Sequence, residues 1–351
     1  MKKVRTLTYC TWTSVGSILQ SYALTRTLKS CGYDTTLWLE ERQRAKRKLR
    51  PRSVKDCVKW VIKTLKSRDM EQAHQKRQDF ILRHMDAEYF PDYEAIARKA
   101  MENREDIYLA GSDQIWYPDK CDPLFFLDFA KGSRRISYAA SMGKTQIPRD
   151  REEKLGDLLR GFERISVREK DCVDALRKVT NQDISVHIDP TFLLDTEAWR
   201  AMEKAYPVKE PYILLYMIYW NSECKNKVLE LKKRTGLPVY AVCSDVSRVY
   251  ADKHLYDVGV EEFLWLVDHA KYVVTSSFHG VAFSILFRKK FAAVVNPQLP
   301  SRIENILNVL SVPHVDIPEL DSADSFAYDA IFWKIEKERQ KSIQYLKEAI
   351  G

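Results

Sequence analysis

The feature that most constrains the fold is an alternation of short apolar strands and helices that occurs twice along the chain. The first alternation opens with a strand over residues 4–10, a helix over 18–28 and a strand over 35–39. The second opens with a strand over 212–216. Because strand–helix–strand units build parallel sheets covered by helices, we predict an α/β protein with two Rossmann-like domains. A chain of 351 residues is long enough for two domains, since ~150 residues per domain is usual.

The two alternations set the predicted domain limits. We assign residues 1–200 to an N-terminal domain and residues 201–322 to a C-terminal domain. Residues 41–105 are charged, lack glycine and have a helical period, which predicts an inserted helical lobe. Residues 323–351 predict a long amphipathic helix, for which packing back on the N-terminal domain is one option. Ligands of open α/β sheets bind beyond the carboxyl ends of the strands, so we expect the site between the domains.

The net charge of +8 favours anionic partners. Much of it lies in residues 42–52, which either contact an anionic membrane surface or form a solvated face. Aromatic residues do not interleave this run, so nucleic-acid binding is not expected. No apolar run reaches the ~18 residues that a membrane span needs, and the first residues lack the pattern of a secretory signal. We expect a cytoplasmic protein, with peripheral contact at the inner face of the membrane as an option.

The segment 273–284 (VVTSSFHGVAFS) predicts a strand that runs directly into a capped helix. The first turn of such a helix offers free N–H groups and a positive dipole end, so Ser276, Ser277 and Gly280 are candidate ligands of a phosphate or carboxylate. His279 lies in the same turn. The dipole favours its neutral form and a bound phosphate favours its charged form, which makes it a candidate for proton transfer. The alternative is a core histidine bonded to the backbone.

Polar residues also follow a predicted buried strand at 106–110. Ser112, Asp113 and Gln114 are candidates for binding sugar hydroxyls, and Trp116 is a candidate for stacking on a sugar ring. The alternative is an Asx turn beside a packed tryptophan.

Two further strand ends carry candidate ligands. Arg168 follows a predicted strand, where its guanidinium can bind phosphate or carboxylate through two hydrogen bonds; an ion pair with Glu169 is the alternative. Gly16 and Ser17 begin the first helix and can hold an anion or a hydroxyl. Metal-ligand spacing and a full Gly-x-Gly-x-x-Gly are absent, so neither a metal nor a nucleotide cofactor is expected. Seven cysteines without Cys-x-x-Cys spacing indicate free thiols.

Together these segments resemble the polysaccharide pyruvyl transferase family. The resemblance is carried by residues 16–24 (GSILQSYAL), 111–116 (GSDQIW), 125–129 (FFLDF), 136–141 (ISYAAS), 166–169 (SVRE), 189–194 (DPTFLL) and 276–280 (SSFHG). It implies a fold similar to the GT-B glycosyltransferases, with the acceptor on the N-terminal domain and the donor on the C-terminal domain. It also implies transfer from phosphoenolpyruvate to two hydroxyls of a sugar or lipid-linked glycan, with His279 as general acid and Arg168 as a donor ligand.

The chain departs from this family at two places. Some members have Arg-Leu-His where this chain has Ser277-Phe278-His279, and a glycine-rich loop where it has Gly111-Ser112-Asp113-Gln114. Two alternatives therefore stay open. One is a GT-B glycosyltransferase that uses a nucleotide-sugar donor, and the other is a non-catalytic partner in polysaccharide assembly.

Overall fold

The structure, a computed structural model, describes most of the chain. The described residues are 1–41, 54–218, 222–243, 250–295, 301–321 and 326–351, with side chains described from residue 68 onwards in the helix that begins at Val54. The basic run 42–52 lies outside the described residues, and its contact with a membrane stays a prediction.

The first sheet is formed by five parallel strands. They are β1 (Lys3–Leu7), β2 (Asp34–Glu40), β3 (Ala87–Phe90), β4 (Ile107–Ala110) and β5 (Arg134–Ser137), in the order β3-β2-β1-β4-β5. Every residue of β4 is buried, as expected for a parallel strand with helices on both faces of its sheet. Two short strands, β6 (Ile165–Val167) and β7 (Ile184–Val186), pair with each other, and bridges from β5 bring β6 alongside this sheet.

The second sheet repeats the arrangement of the first. Its strands are β8 (Ile213–Met217), β9 (Val239–Cys243), β10 (Lys253–His254), β11 (Tyr272–Thr275) and β12 (Lys290–Ala293), in the order β10-β9-β8-β11-β12. All of its pairings are parallel. The predicted pair of Rossmann-like sheets is therefore confirmed.

Helices connect and cover these strands. They are α1 (Val15–Ser30), α2 (Val54–His84), α3 (Tyr93–Glu102), α4 (Arg149–Leu159), α5 (Val173–Leu176), α6 (Thr196–Arg200), α7 (Ser222–Thr235), α8 (Val260–Asp268), α9 (Phe278–Leu286), α10 (Ser301–Leu310) and α11 (Tyr328–Ile350). Most residues of α1 are buried, because this helix packs on both its own sheet and α8 of the second half. Its first turn, capped by Ser14, lies at the cleft described below.

The segment 41–105 differs from the predicted helical lobe. It contains the predicted helix α2, but it also contains β3, which pairs with β2 at the edge of the first sheet. The prediction missed this strand because its four residues, AEYF, are too few to show a period of two. The helix α2 also bridges the two halves: Arg77 donates to the carbonyl of Trp12 at 2.9 Å and to that of Val258 at 2.8 Å.

The C-terminal helix α11 packs against the first half of the chain. The Tyr345 hydroxyl donates to the carbonyl of Ser137 at 2.8 Å, and Arg339 Nε donates to that of Phe192 at 2.7 Å. Arg134 Nη2 donates to the carbonyl of Ala349 at 2.9 Å, close to the end of the helix. These bonds hold the end of the chain against its first half, as one option of the sequence analysis had it. Within the described residues, no helix combines the length and the apolar content needed to span a membrane.

Candidate active site

The candidate site lies where the strand order of both sheets reverses. This happens between β1 and β4 in the first sheet and between β8 and β11 in the second, and such points are the usual ligand sites of open α/β sheets. Loops that follow these four strands surround a cleft of about 480 Å³. The cleft is lined by Tyr9, Thr11, Ser14, Ser17, Asp113, Gln114, Tyr117, Lys120, Ile218, His279 and Arg302.

His279 is positioned by a tightly bonded turn between β11 and α9. Thr275 Oγ1 accepts from the N–H of Ser277 at 3.0 Å and donates to the carbonyl of Tyr216 at 2.8 Å. The Ser277 side chain then caps α9 by accepting from the N–H of Gly280. This turn holds His279 in the first turn of the helix, as predicted, and only 3% of the residue is exposed.

The imidazole of His279 lies directly against the first turn of α1. A Cβ atom added to Gly16 would lie 2.2 Å from His279 Nδ1, so only glycine leaves room for the ring. The other ring nitrogen, Nε2, is buried and has no hydrogen-bond partner among the described residues. Buried polar atoms are nearly always paired. This nitrogen therefore lacks a partner that a ligand or water could supply, as do Gln114 Nε2 and Arg302 Nε on other residues that line the cleft.

Burial sets the protonation state of this imidazole. It lowers the pKa of His279 below the ordinary histidine value, and the nearby cations Arg168 and Arg302 lower it further. The carboxylates of Asp189 and Asp113 act in the opposite direction without reversing the shift. The ring is therefore neutral at neutral pH in the free protein, and a bound anion would raise its pKa again.

Gly16→Ala is expected to reduce activity strongly without unfolding the protein. The new methyl group would overlap the ring of His279, and a displacement of about 1 Å in a catalytic group can cost ~10²-fold in rate. Alanine is otherwise a better helix residue than glycine. The rate and the thermal midpoint of the variant would test this, and full activity would show that the contact does not position the ring.

Arg168 does not line the cleft. Its guanidinium is buried and paired with Glu169 Oε1 at 3.0 Å and Asp189 Oδ2 at 2.7 Å. The guanidinium also lies 4.1 Å from the centre of the ring of Phe278, the residue that precedes His279. The ion pair with Glu169, which the sequence left open as an alternative, is what the structure shows. Arg168 therefore lies outside the lining of the cleft, and two carboxylates already bind its guanidinium.

The residues predicted to bind the acceptor divide into two groups. Asp113 and Gln114 line the cleft, and the Nε2 atom of Gln114 is buried without a partner among the described residues. Trp116 is fully buried, donates from Nε1 to the carbonyl of Phe125 at 3.0 Å and stacks on Phe126. Its predicted stacking on a sugar ring is therefore wrong, because the apolar core takes the indole.

The remaining predicted ligands lie mostly outside the lining of the cleft. Ser112 is buried and donates to Asp189 Oδ2 at 3.2 Å. Gly280 is required because an added Cβ would lie 2.2 Å from Thr275 Oγ1. Ser276 is buried and, like Ser277, does not line the cleft. Ser17 does line it.

Arg302, a cation of the cleft, was not among the residues predicted from the sequence. Its side chain is 19% exposed, and Nη2 lies 3.7 Å from Asp113 Oδ1. The only sequence signal was the proline and serine at 300 and 301, which predict a helix start immediately before it. Lys120 was missed as well, since it follows no strand.

Comparison with known proteins identifies the family. A model of the polysaccharide pyruvyl transferases matches residues 15–297, which is more than half of the chain. The chain belongs to the polysaccharide pyruvyl transferase family. The match includes the turn that carries His279 and the loop of Asp113 and Gln114, whereas Arg302 lies beyond it. No curated protein matches the chain.

Solved structures show the fold of this pyruvyl transferase family member. The UDP-GlcNAc 2-epimerase from Neisseria meningitidis bound to UDP-GlcNAc has a TM-score of 0.55 at 10% identity, covering 99% of each chain. UGT89C1 from Arabidopsis thaliana, complexed with quercetin, has a TM-score of 0.54 at 11% identity, again covering 99% of each chain. The UDP-GlcNAc 2-epimerase from Methanocaldococcus jannaschii has a TM-score of 0.52 at 12% identity, covering 99% of this chain and 100% of that one. The predicted GT-B-like arrangement is thereby confirmed.

Proposed function

We propose that this protein transfers a pyruvyl group from phosphoenolpyruvate to two hydroxyls of a sugar acceptor, forming a cyclic ketal. The observation that carries the proposal is that His279, whose Nε2 has no partner among the described residues, lines a cleft that also contains Arg302 and Lys120. A proton-transfer group beside two cations suits a donor that must gain a proton and release phosphate. Membership of the pyruvyl transferase family supports the same class of reaction.

The reaction needs two steps at C2 of the donor, an addition and then a substitution. In the first, C3 gains a proton from the imidazolium of His279, C2 becomes electrophilic, and an acceptor oxygen bonds to C2 as its hydroxyl returns a proton to the imidazole. In the second, the other hydroxyl oxygen bonds to C2, the C2–O bond to phosphate breaks, and phosphate leaves with the second proton. His279 supplies the proton to C3 as general acid once the anionic donor has raised its pKa.

The first half of the chain provides the polar groups for the acceptor. Ser17, Asp113 and Gln114 line the same cleft as His279. A hydroxyl, a carboxylate and an amide can together donate to and accept from sugar hydroxyls. The unpartnered amide nitrogen of Gln114 is a donor that an acceptor oxygen would satisfy. A sugar or lipid-linked glycan is the acceptor that we propose.

The test is release of phosphate from phosphoenolpyruvate in the presence of a panel of sugar and lipid-linked acceptors. We expect release that depends on the acceptor and a product whose mass has increased by one pyruvyl ketal. Release without an acceptor, or none with any member of the panel, would contradict the proposal.

A second candidate is glycosyl transfer from a nucleotide sugar. One observation favours it: a further cavity of about 210 Å³ lies at the carboxyl ends of β8 and β9 and shares Ser14 and Ile218 with the candidate site. Part of a nucleotide could occupy this volume. Release of nucleoside diphosphate from nucleotide sugars in the same assay would support this candidate. Absence of both activities would favour a non-catalytic role in polysaccharide assembly.

A further inference from the structure

We propose that Arg302 is the ligand of the donor phosphate in this protein. The inference rests on the proposed function for the identity of the donor. Ser277, two residues before His279, carries no charge, so its helix turn offers a phosphate only N–H groups. The cation must therefore come from another element. The cleft offers Lys120 and, from α10, Arg302, and only Arg302 lies near the turn that carries His279 through its contact with Phe278.

Two arginines, Arg168 and Arg302, lie close to the ring of Phe278. The guanidinium of Arg168 is 4.1 Å from the centre of this ring and that of Arg302 is 5.8 Å from it. Cations are attracted to aromatic rings within ~6 Å of the centroid. Phe278 thus keeps Arg302 beside the turn that carries His279, as an aliphatic residue could not.

The two arginines differ in what already binds them. Arg168 has Glu169 and Asp189 within 3.0 Å. Arg302 has Asp113 at 3.7 Å, which is beyond hydrogen-bond distance, and its Nε is buried without a partner among the described residues. Arg168 also has a buried nitrogen, Nη2, without a partner among the described residues, but two carboxylates already bind its guanidinium. Only Arg302 of the two lines the cleft, so Arg302 is the arginine that a phosphate can reach.

Asn305 holds the helix that carries Arg302 against the first half of the chain. Its Oδ1 accepts from the N–H of Lys170 at 3.1 Å, and its Nδ2 donates to the carbonyl of Arg168 at 3.2 Å. Residues three apart share one face of a helix. Asn305 is therefore a positioning residue that fixes the approach of Arg302 to the cleft.

Asp113 is the competitor of the phosphate for Arg302. Its carboxylate lies 3.7 Å from that guanidinium. The backbone of Asp113 has a φ of 71°, a left-handed conformation that non-glycine residues adopt at some energetic cost. A phosphate can make shorter, charge-assisted bonds to the same guanidinium. Removing the charge of Asp113 should then tighten phosphate binding, whereas removing that of Arg302 should weaken it.

The experiment measures binding of inorganic phosphate and of phosphoenolpyruvate by calorimetry. We expect Arg302→Gln to weaken both by about 10- to 100-fold, the loss of one charge-assisted contact. Arg302→Lys should be intermediate, because lysine lacks the planar fork of arginine. Asp113→Asn should bind phosphate more tightly than the wild type. The matched control is Arg288→Gln, which removes an arginine that lies 4.4 Å from the Phe332 ring and pairs with Asp329 outside the cleft.

Phosphate affinity in Arg302→Gln equal to that of the wild type would overturn this inference, as would a wild-type protein that binds no phosphate. Loss of phosphate binding in Arg302→Gln, with that of Arg288→Gln unchanged, would support it. The proposed function fails separately: if phosphate binds through Arg302 but phosphoenolpyruvate yields no acceptor-dependent release, the anion site stands and the donor is wrong. Circular dichroism and thermal unfolding of each variant would exclude misfolding, and Arg302→Lys keeps the test valid if the glutamine variant is unstable.

Discussion

His279→Gln is expected to reduce turnover with phosphoenolpyruvate and acceptor by about 10²- to 10⁴-fold, the range that a positioned proton-transfer group contributes. Glutamine keeps much of the side-chain volume but cannot exchange a proton at neutral pH. The reason to expect so large an effect is that His279 lines the cleft, that its Nε2 has no partner among the described residues, and that its ring packs against Gly16. Steady-state phosphate release measures the rate.

The matched control for this variant is His269→Gln. The imidazole of His269 is partly exposed, stacks on Trp265 and does not line the cleft, so its loss should leave the rate nearly unchanged. Near-normal turnover in His279→Gln would remove His279 from the mechanism.

The same histidine predicts a proton linkage. Its pKa lies below the ordinary value in the free protein because of burial, and the charges of a bound donor would raise it. Binding should therefore take up a proton near neutral pH, and affinity for phosphoenolpyruvate should increase as the pH falls. Calorimetry in buffers of different ionisation enthalpy measures the uptake. If His279→Gln takes up as many protons on binding phosphoenolpyruvate as the wild type does, the proton belongs to the donor phosphate and not to His279.

Arg168→Met is expected to lower the free energy of unfolding by about 3–5 kcal/mol, the cost of breaking a buried ion pair from one side. The substitution leaves the carboxylates of Asp189 and Glu169 buried without their cation, and their side chains are 0% and 2% exposed. Urea unfolding measures the change. For comparison, Arg160→Met removes the exposed pair with Asp157 and should cost less than ~1 kcal/mol.

The loss in Arg168→Met should depend on pH. In the wild type, burial alone would raise the pKa of Asp189, but the charge of Arg168, helped by the hydrogen bond from the N–H of Thr191, outweighs it and holds the pKa below the ordinary value. Without Arg168, burial would raise that pKa above its unfolded value, so the folded variant would bind a proton that the unfolded chain does not. Its stability should therefore increase as the pH falls from 8 towards 5. A loss that is the same at both pH values would mean that water or a rearranged cation replaces Arg168.

Predictions from the sequence succeeded where short-range patterns carry the information. Strand and helix periods predicted both sheets, and the serines before Phe278 predicted the start of α9. They failed for β3, whose four residues carry no period, and for Trp116, which is followed along the chain by the polar residues of a surface turn but lies in the core. The pattern of residue types along a loop does not indicate which of its side chains face the core.

The sequence by itself determined the fold class and the family, because strand and helix periods and ordered motifs are properties of neighbouring residues. It also placed His279 in a capped helix turn. Only the tertiary structure decided which charges meet that histidine: it directed Arg168 to Asp189 and Glu169 and brought Arg302 from α10 into the cleft. The pairing of Arg302 with Asp113 joins residues more than a hundred positions apart. It depends on how the two sheets face each other, and no local pattern encodes that distance.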